Sequence, residues 1–69
     1  MEVLVREKSR EAVLKVLREA EDWMTISEIS RRAGVAWTTA KYTLLNLLAE
    51  GVVEVRKLGY YNLFRLKSD

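Results

Sequence analysis

The feature that most constrains the fold is a 27-residue segment that runs from Thr25 to Gly51. Thr25 and Glu28 have the spacing of a capping box, in which each side chain accepts a hydrogen bond from the other residue's backbone N–H. Gly34 and Gly51 stand where two amphipathic stretches stop, and glycine commonly ends a helix because it adopts a left-handed backbone without strain. The segment therefore predicts two helices, over about 26–33 and about 37–50.

A tight turn at Gly34 would join these two helices. Together they have the form of a helix-turn-helix, in which the second helix can lie in the major groove of DNA. An amphipathic stretch before them predicts a first helix over about 9–20, with apolar residues at i, i+3, i+4 and i+7. The residues of this apolar face are Val13, Val16, Leu17 and Ala20.

The segment after Gly51 alternates as a strand does and predicts a β-hairpin over about 52–67, with a turn at Leu58–Gly59. The side chains expected to point inward are Val53, Val55, Phe64 and Leu66. The chain is thus expected to form a single small α+β domain over 1–69. Its expected order is helix, short strand, helix, helix, strand, strand.

Composition excludes several kinds of site. The chain has no Cys and no His, which excludes disulfides, thiol-based sensing and the usual zinc sites, and removes the commonest general base. The three glycines are separate turn residues, so no phosphate-cradling loop is present. We therefore predict no enzyme, no catalytic residues, no cofactor and no metal.

Two further predictions rest on composition. The longest apolar runs are only a few residues, which predicts no membrane span and a cytoplasmic protein. The absence of Gln, together with a charged content of 32%, predicts a thermophile source.

Charge is distributed unevenly along the chain. Residues 1–30 carry five basic and seven acidic groups, a net charge of −2. Residues 31–67 carry seven basic and two acidic groups, a net charge of +5. Because the basic surplus falls on the second half of the helix-turn-helix and on the hairpin, it indicates contact with nucleic acid.

Three sequence stretches together carry a family resemblance: Thr-x-x-Glu-Ile followed by Ala-Gly-Val, a helix ending Leu-Leu-Ala-Glu-Gly-Val-Val, and a hairpin ending Phe-Arg-Leu. Over residues 9–67 the chain resembles winged helix-turn-helix transcription regulators of bacteria and archaea, and looks most similar to the MarR-like and ArsR-like groups. The resemblance implies sequence-specific binding of double-stranded DNA. The helix at 37–50 would lie in the major groove, and the 56–61 wing on the adjacent backbone or minor groove.

The predicted DNA-binding residues lie on the second and third helices and on the wing: Ser27, Arg31, Trp37, Thr38, Thr39, Lys41, Tyr42, Arg56, Lys57, Tyr60 and Tyr61. Cations suit phosphates, and those assigned to them are Arg31, Lys41, Arg56 and Lys57. Base edges would be probed by Thr38, Tyr42 and Trp37. One departure from the family is Ala36, which leaves the third helix without a side-chain N-cap worth about 1 kcal/mol.

Several of these residues have a purely structural alternative. Trp37 either contacts DNA or folds against the second helix, near Trp23 or in a dimer contact. Arg32 has Glu28 as a partner at i, i+4, which leaves Arg31 as the better phosphate ligand. The two wing tyrosines are also good strand formers, and Arg65 reads as an ordinary exposed strand residue.

Residues 1–5 are either a frayed helix start, an added strand, or a strip that docks on a partner. With the outer face of the first helix around Leu14, they form the candidate surface of a homodimer, whose half-sites would lie about one helical turn apart.

Two other functions stay open. A flank formed by Trp37, Leu45 and Leu48 favours a winged-helix protein-interaction module. Wing aromatics favour a sequence-blind architectural or single-strand binder.

Overall fold

The computed structural model describes the backbone of residues 2–68 and the side chains of residues 7–68. Three helices and three strands follow one another as α1 Glu2–Glu19, β1 Met24–Thr25, α2 Ile26–Ala33, α3 Trp37–Ala49, β2 Val53–Leu58 and β3 Tyr61–Leu66. The strands form one antiparallel sheet in the order β1-β3-β2. This arrangement confirms the small α+β winged-helix fold.

Helix α1 begins at Glu2, well before the expected start near residue 9. No glycine or proline interrupts the chain before Ser9, and Ser9 is itself buried in the helix instead of standing at its start. The backbone of residues 2–5 is therefore helical, which removes the alternative of an added strand. The side chains of residues 1–6, which formed part of the expected dimer surface, lie outside the described residues.

Leu14 does not lie on an outer face of α1, as the sequence analysis expected. It is only 8% exposed and belongs to the core cluster with Val13 and Leu17. The reason is that α2 and α3 both pack on α1, so the buried stripe is wider than one line of i, i+3, i+4 positions. Leu14 is therefore a core residue and not a dimer contact.

Both ends of α2 carry the expected caps. The backbone N–H of Thr25 donates to Glu28 Oε1 at 3.0 Å, and the backbone N–H of Glu28 donates to Thr25 Oγ1 at 3.2 Å. At the other end Gly34 has φ 71° and ψ 32°, and its N–H donates to the carbonyl of Ser30 at 3.0 Å. The Ser30 hydroxyl then donates to the carbonyl of Val35 at 3.0 Å, which fixes the turn before α3.

Helix α3 ends at Ala49, one residue before the expected end, because Glu50 is already the capping residue. Gly51 has φ 78°, and two hydrogen bonds close the end. The N–H of Gly51 donates to the carbonyl of Leu48 at 3.0 Å, and that of Val52 to the carbonyl of Leu47 at 2.9 Å. This Schellman pattern leads the chain directly into β2.

The core lies between the three helices and the inner face of the sheet. Its fully buried large side chains are Val13, Ile29, Leu44, Leu47 and Val53. Phe64 on the central strand β3 pairs in register with both Met24 and Val55. Val55 was expected to point into the core but is 41% exposed, because β2 is an edge strand and its burial falls away beyond Val53.

A bidentate ion pair joins α1 to the carboxyl end of α3. Arg10 Nη2 and Nη1 donate to Glu50 Oε1 and Oε2 at 2.7 and 3.0 Å. This hydrogen bonding lowers the pKa of Glu50 below its ordinary value. None of the helices in the described part of the chain has the length and apolar character needed to cross a membrane.

Candidate nucleic-acid interface

One side of α3 faces solvent along its whole length. The exposed residues on this side recur at i, i+4, i+7 and i+11, and we call them the outer face of α3: Thr38, Tyr42, Leu45 and Ala49. The opposite side packs into the core through Ala40, Leu44 and Leu47. Because those three residues are fully buried, the orientation of the outer face is set by the core.

Trp37 and Lys41 lie together on one flank of the outer face. Trp37 is exposed, and the Nζ atom of Lys41 lies 5.6 Å from the centre of its ring. A cation at this distance from an indole ring is attracted to it. The side chain of Lys41 is half-buried, so its ammonium group is held near the amino-terminal end of α3.

Thr39 is less accessible than the sequence analysis expected. It is half-buried, and its carbonyl accepts a hydrogen bond from Thr43 Oγ1 at 2.7 Å. Thr38, one position earlier, is exposed on the outer face. Of the two threonines, Thr38 is therefore the one placed to contact a ligand that approaches α3.

Two of the predicted DNA-binding residues lie on α2. Ser27 is in its first turn and Arg31 follows four residues later, and both are exposed. Residues four positions apart on a helix are neighbours on its surface, so these two side chains can contact the same backbone strand of a duplex.

The expected ion pair between Glu28 and Arg32 is not formed within residues 7–68. The Glu28 carboxylate instead accepts hydrogen bonds from the backbone N–H and the hydroxyl of Thr25. The backbone hydrogen bond is the main cause of its lowered pKa, to which Arg32 and Arg31 contribute through their charge. Neither arginine forms an ion pair among the side chains of residues 7–68, and both are exposed in the last turn of α2.

The wing is a tight hairpin. Leu58 pairs with Tyr61, so the loop is the two residues Gly59 and Tyr60, with φ 62° at the glycine. Glycine with positive φ at the first loop position is typical of a type II′ hairpin turn, whose twist matches that of the strands. The side chains of Tyr60 and Tyr61 are exposed at the tip, so the alternative in which they pack into the domain is not realised.

The wing cations differ in their surroundings. Lys57 is exposed near the hairpin end. Arg56 points to the opposite side of β2, because successive strand residues alternate, and its Cζ atom lies 5.8 Å from the centre of the Trp23 ring. The guanidinium predicted to bind phosphate is thus near an aromatic ring of the domain itself.

A second arginine, Arg65, also lies over the Trp23 ring. From the sequence alone, Arg65 was expected to be an ordinary exposed strand residue. Arg65 Cζ lies 4.3 Å from the Trp23 ring centre, and Arg65 Nε donates to Glu54 Oε2 at 2.6 Å. Trp23 is therefore a structural residue at the base of the wing that sequence reasoning missed. Its only local signal is that it precedes the inward-facing Met24 and so faces the other side of the sheet.

A cleft between the end of α1 and α2 is lined mainly by four acidic residues, Glu19, Glu21, Asp22 and Glu28, and also by Trp23 and Arg32. Because negative charge repels phosphates, we assign no phosphate contact to this cleft. Among the side chains of residues 7–68, no three acidic groups approach closely enough to hold a metal ion.

Three helices, a three-stranded sheet and a hairpin that extends past the core define a winged helix-turn-helix. A family model described as the IclR helix-turn-helix domain matches residues 12–57, about two thirds of the chain. The chain therefore belongs to the IclR helix-turn-helix domain family. The resemblance to the MarR-like and ArsR-like groups, which are different families, is not confirmed. This assignment supports a DNA-binding transcriptional regulator.

A search of curated proteins found no match to this chain. Among solved structures, the fold is similar to part of human N-acetylserotonin methyltransferase in complex with SAM, with a TM-score of 0.76 at 15% sequence identity. The match covers 93% of this chain and 20% of the methyltransferase chain. At this identity the likeness concerns the fold alone, which also occurs as part of an enzyme.

Proposed function

We propose that this domain binds double-stranded DNA sequence-specifically as part of a transcriptional regulator, with α3 in the major groove. The observation that carries the proposal is the solvent-facing outer face of α3, held in orientation by Ala40, Leu44 and Leu47 on its buried side. A helix-turn-helix reads base edges with residues near the amino-terminal end of its second helix. In this chain those residues are Thr38, Tyr42 and Trp37.

Phosphate contacts would surround that helix. Ser27 and Arg31 on α2, Lys41 on the flank of α3 and Lys57 on the wing are the groups we assign to the backbone. Phosphate contacts fix the position of a protein on the duplex, whereas base contacts supply sequence preference. The wing at 56–61 would then lie on the adjacent backbone or minor groove, with Tyr60 at its tip.

Arg56 joins these backbone ligands, as the sequence led us to expect. Its guanidinium group is exposed and lies 5.8 Å from the Trp23 ring centre, and a guanidinium beside a ring face keeps its N–H donors available for phosphate. Arg56 and Lys57 are therefore the two backbone ligands that we assign to the wing.

The proposal is tested by fluorescence anisotropy of a labelled pool of random duplexes, with salt varied from about 50 to 200 mM. A phosphate-binding surface gives an affinity that falls steeply, with a log–log slope of about −0.9 for each phosphate neutralised. Repeated selection of the bound duplexes then shows whether one sequence is preferred. A steep slope without enrichment of any sequence would indicate an architectural binder, and absence of binding at the lowest salt would refute DNA binding.

Matched variants locate the surface. Lys41→Ala and Arg31→Ala are each expected to reduce the salt slope by about 1, whereas Lys15→Ala and Arg18→Ala on α1 should leave it unchanged. Both α1 residues are exposed, so each control removes the same charge from an accessible position. Equal effects of all four changes would mean that net charge, and not this surface, drives binding.

A protein-interaction module is the second candidate, and one observation favours it. The outer face of α3 and its flank carry a single cation, Lys41, beside the exposed apolar groups of Trp37, Tyr42 and Leu45. Leu48 packs against the core, so the apolar flank is smaller than its sequence implied. In this case the protein would show little affinity for duplex DNA at physiological salt.

A homodimer is also part of the proposal. Two copies would place their α3 helices on half-sites about one helical turn apart, so the selected duplexes would contain an inverted repeat with that spacing. Sedimentation of the free protein and of the complex would give the number of chains bound to each duplex.

A further inference from the structure

The exposed surface of α3 has few groups that can read a G·C base pair. In the major groove, guanine is usually identified by a bidentate contact from Arg or Lys, and cytosine by an acceptor such as Glu or Asp. Residues 37–49 contain no Arg, Gln, Glu or Asp, and Lys41 is their one cation. The ammonium group of Lys41 is already drawn toward the Trp37 ring at 5.6 Å.

The outer face of α3 offers apolar groups instead. Leu45 is 44% exposed although it is purely aliphatic, and the exposed ring of Tyr42 lies one turn before it. Thr38, one further turn toward the amino-terminal end, adds a methyl group beside its hydroxyl. Burying such groups against polar base edges without hydrogen bonds is unfavourable.

Only one base presents an apolar group in the major groove. Thymine carries the C5-methyl group, and apolar side chains and the Thr methyl group contact it favourably. The one amide on α3 is Asn46, which is exposed, and Asn forms its bidentate contact with adenine. The exposed amide of α3 and its exposed apolar groups therefore both favour an A·T base pair.

We infer that α3 recognises its DNA site through thymine methyl groups, so the bases under Thr38, Tyr42 and Leu45 form a thymine-rich A·T segment. This inference rests on the proposed function and names the class of sequence that the helix selects. In this inference Lys41 contacts a phosphate and contributes affinity without base preference.

The test replaces thymine by deoxyuridine, one position at a time, in the duplex obtained by selection. Uracil keeps the base pairing and the O4 acceptor but lacks the methyl group. Loss of one buried methyl group should weaken binding about four-fold, so we expect a decrease of about this size at two or three clustered positions. Deoxyuridine outside the segment bound by the protein is the internal control.

Leu45→Ala identifies the side chain involved. In this variant one of the sensitive thymines should become insensitive to deoxyuridine, because the contact has already been removed. Val55→Ala is the matched control, since Val55 is likewise an exposed aliphatic residue but lies on β2, outside the 56–61 wing. It should leave every deoxyuridine effect unchanged.

The outcomes separate the two proposals. A selected site in which deoxyuridine has no effect, or in which α3 covers G·C pairs, overturns methyl reading and leaves sequence-specific DNA binding intact. A deoxyuridine effect that Leu45→Ala does not alter also overturns the assignment to this face of α3. Failure to bind any duplex overturns both this inference and the proposed function.

Discussion

The guanidinium carbon of Arg65 lies 4.3 Å from the centre of the Trp23 ring. Trp23 immediately precedes β1, Arg65 belongs to β3, and its ion-pair partner Glu54 belongs to β2. The contact therefore connects all three strands on the side of the sheet that faces away from the core. It fixes the base of the wing to the short strand that leads into α2.

We expect Trp23→Ala to lower the free energy of unfolding by about 1–2 kcal/mol, because a half-buried ring and its contacts with two guanidinium groups are lost. Urea denaturation followed by circular dichroism measures the change. Trp23→Phe retains an aromatic ring and should cost less. A loss in Trp23→Ala no larger than in Trp23→Phe would contradict this role of the cation–ring contacts.

Ala36→Ser should raise the free energy of unfolding by about 1 kcal/mol. Ala36 already has the extended backbone of an N-cap residue, with φ −63° and ψ 151°, but no side chain that can accept a hydrogen bond from α3. Thr25→Ala is the converse change and should lower the free energy by a similar amount. If the two changes have the same sign, the N-cap explanation is wrong.

Acidification should destabilise the fold through Glu28. Its pKa lies below the ordinary value of 4.5, chiefly because the Thr25 backbone N–H donates to the carboxylate. A lowered pKa means that the folded chain binds the proton less tightly, so this stabilisation is complete above pH 4.5 and is lost as the pH falls through the folded pKa. Glu28→Gln should show a smaller decrease in unfolding free energy between about pH 5 and 3 than the unmodified chain. If the unfolding free energy of Glu28→Gln depended on pH as steeply as that of the unmodified chain, the capping box would not be the cause of the lowered pKa of Glu28.

Leu14→Ala should lower the free energy of unfolding by about 2–3 kcal/mol, since the side chain is buried in the core. The exposed Leu45 provides a matched control, and Leu45→Ala should change the free energy by less than about 0.5 kcal/mol. Urea denaturation at two protein concentrations distinguishes core packing from association. If the effect of Leu14→Ala on the free energy of unfolding disappeared when the protein was diluted, Leu14 would instead belong to a dimer surface.

The elements that sequence predicted well are those with local causes. The ends of α2 depend on Thr25, Glu28 and Gly34, which act within one turn of the chain. The surroundings of Leu14 and Val55 depend on which other elements cover them, and residue spacing within one element carries no such information. The stacking of Arg65 on Trp23 requires strands that are distant in sequence to pair, so no local pattern indicates it.

The features of the candidate interface can also be separated into those with local causes and those that depend on packing between distant elements. The solvent-facing side of α3 follows from helical periodicity, because Thr38, Tyr42 and Leu45 recur at i, i+4 and i+7 and so share one side of a helix. The half-buried state of Thr39, the proximity of Lys41 to Trp37, and the position of Arg56 near Trp23 depend on packing and side-chain conformation. The family assignment likewise rests on the whole pattern over residues 12–57 and not on any single motif.

The ion pair between Arg10 and Glu50 adds a connection between two helices that already pack on each other in the core. Helix α1 is 18 residues long and so measures about 27 Å, and Arg10 lies near its middle. Glu50 caps the carboxyl end of α3, so the pair joins the middle of one helix to the end of the other. Because both side chains are exposed to water, dissolved ions weaken this connection, and its contribution to stability should decrease as ionic strength rises.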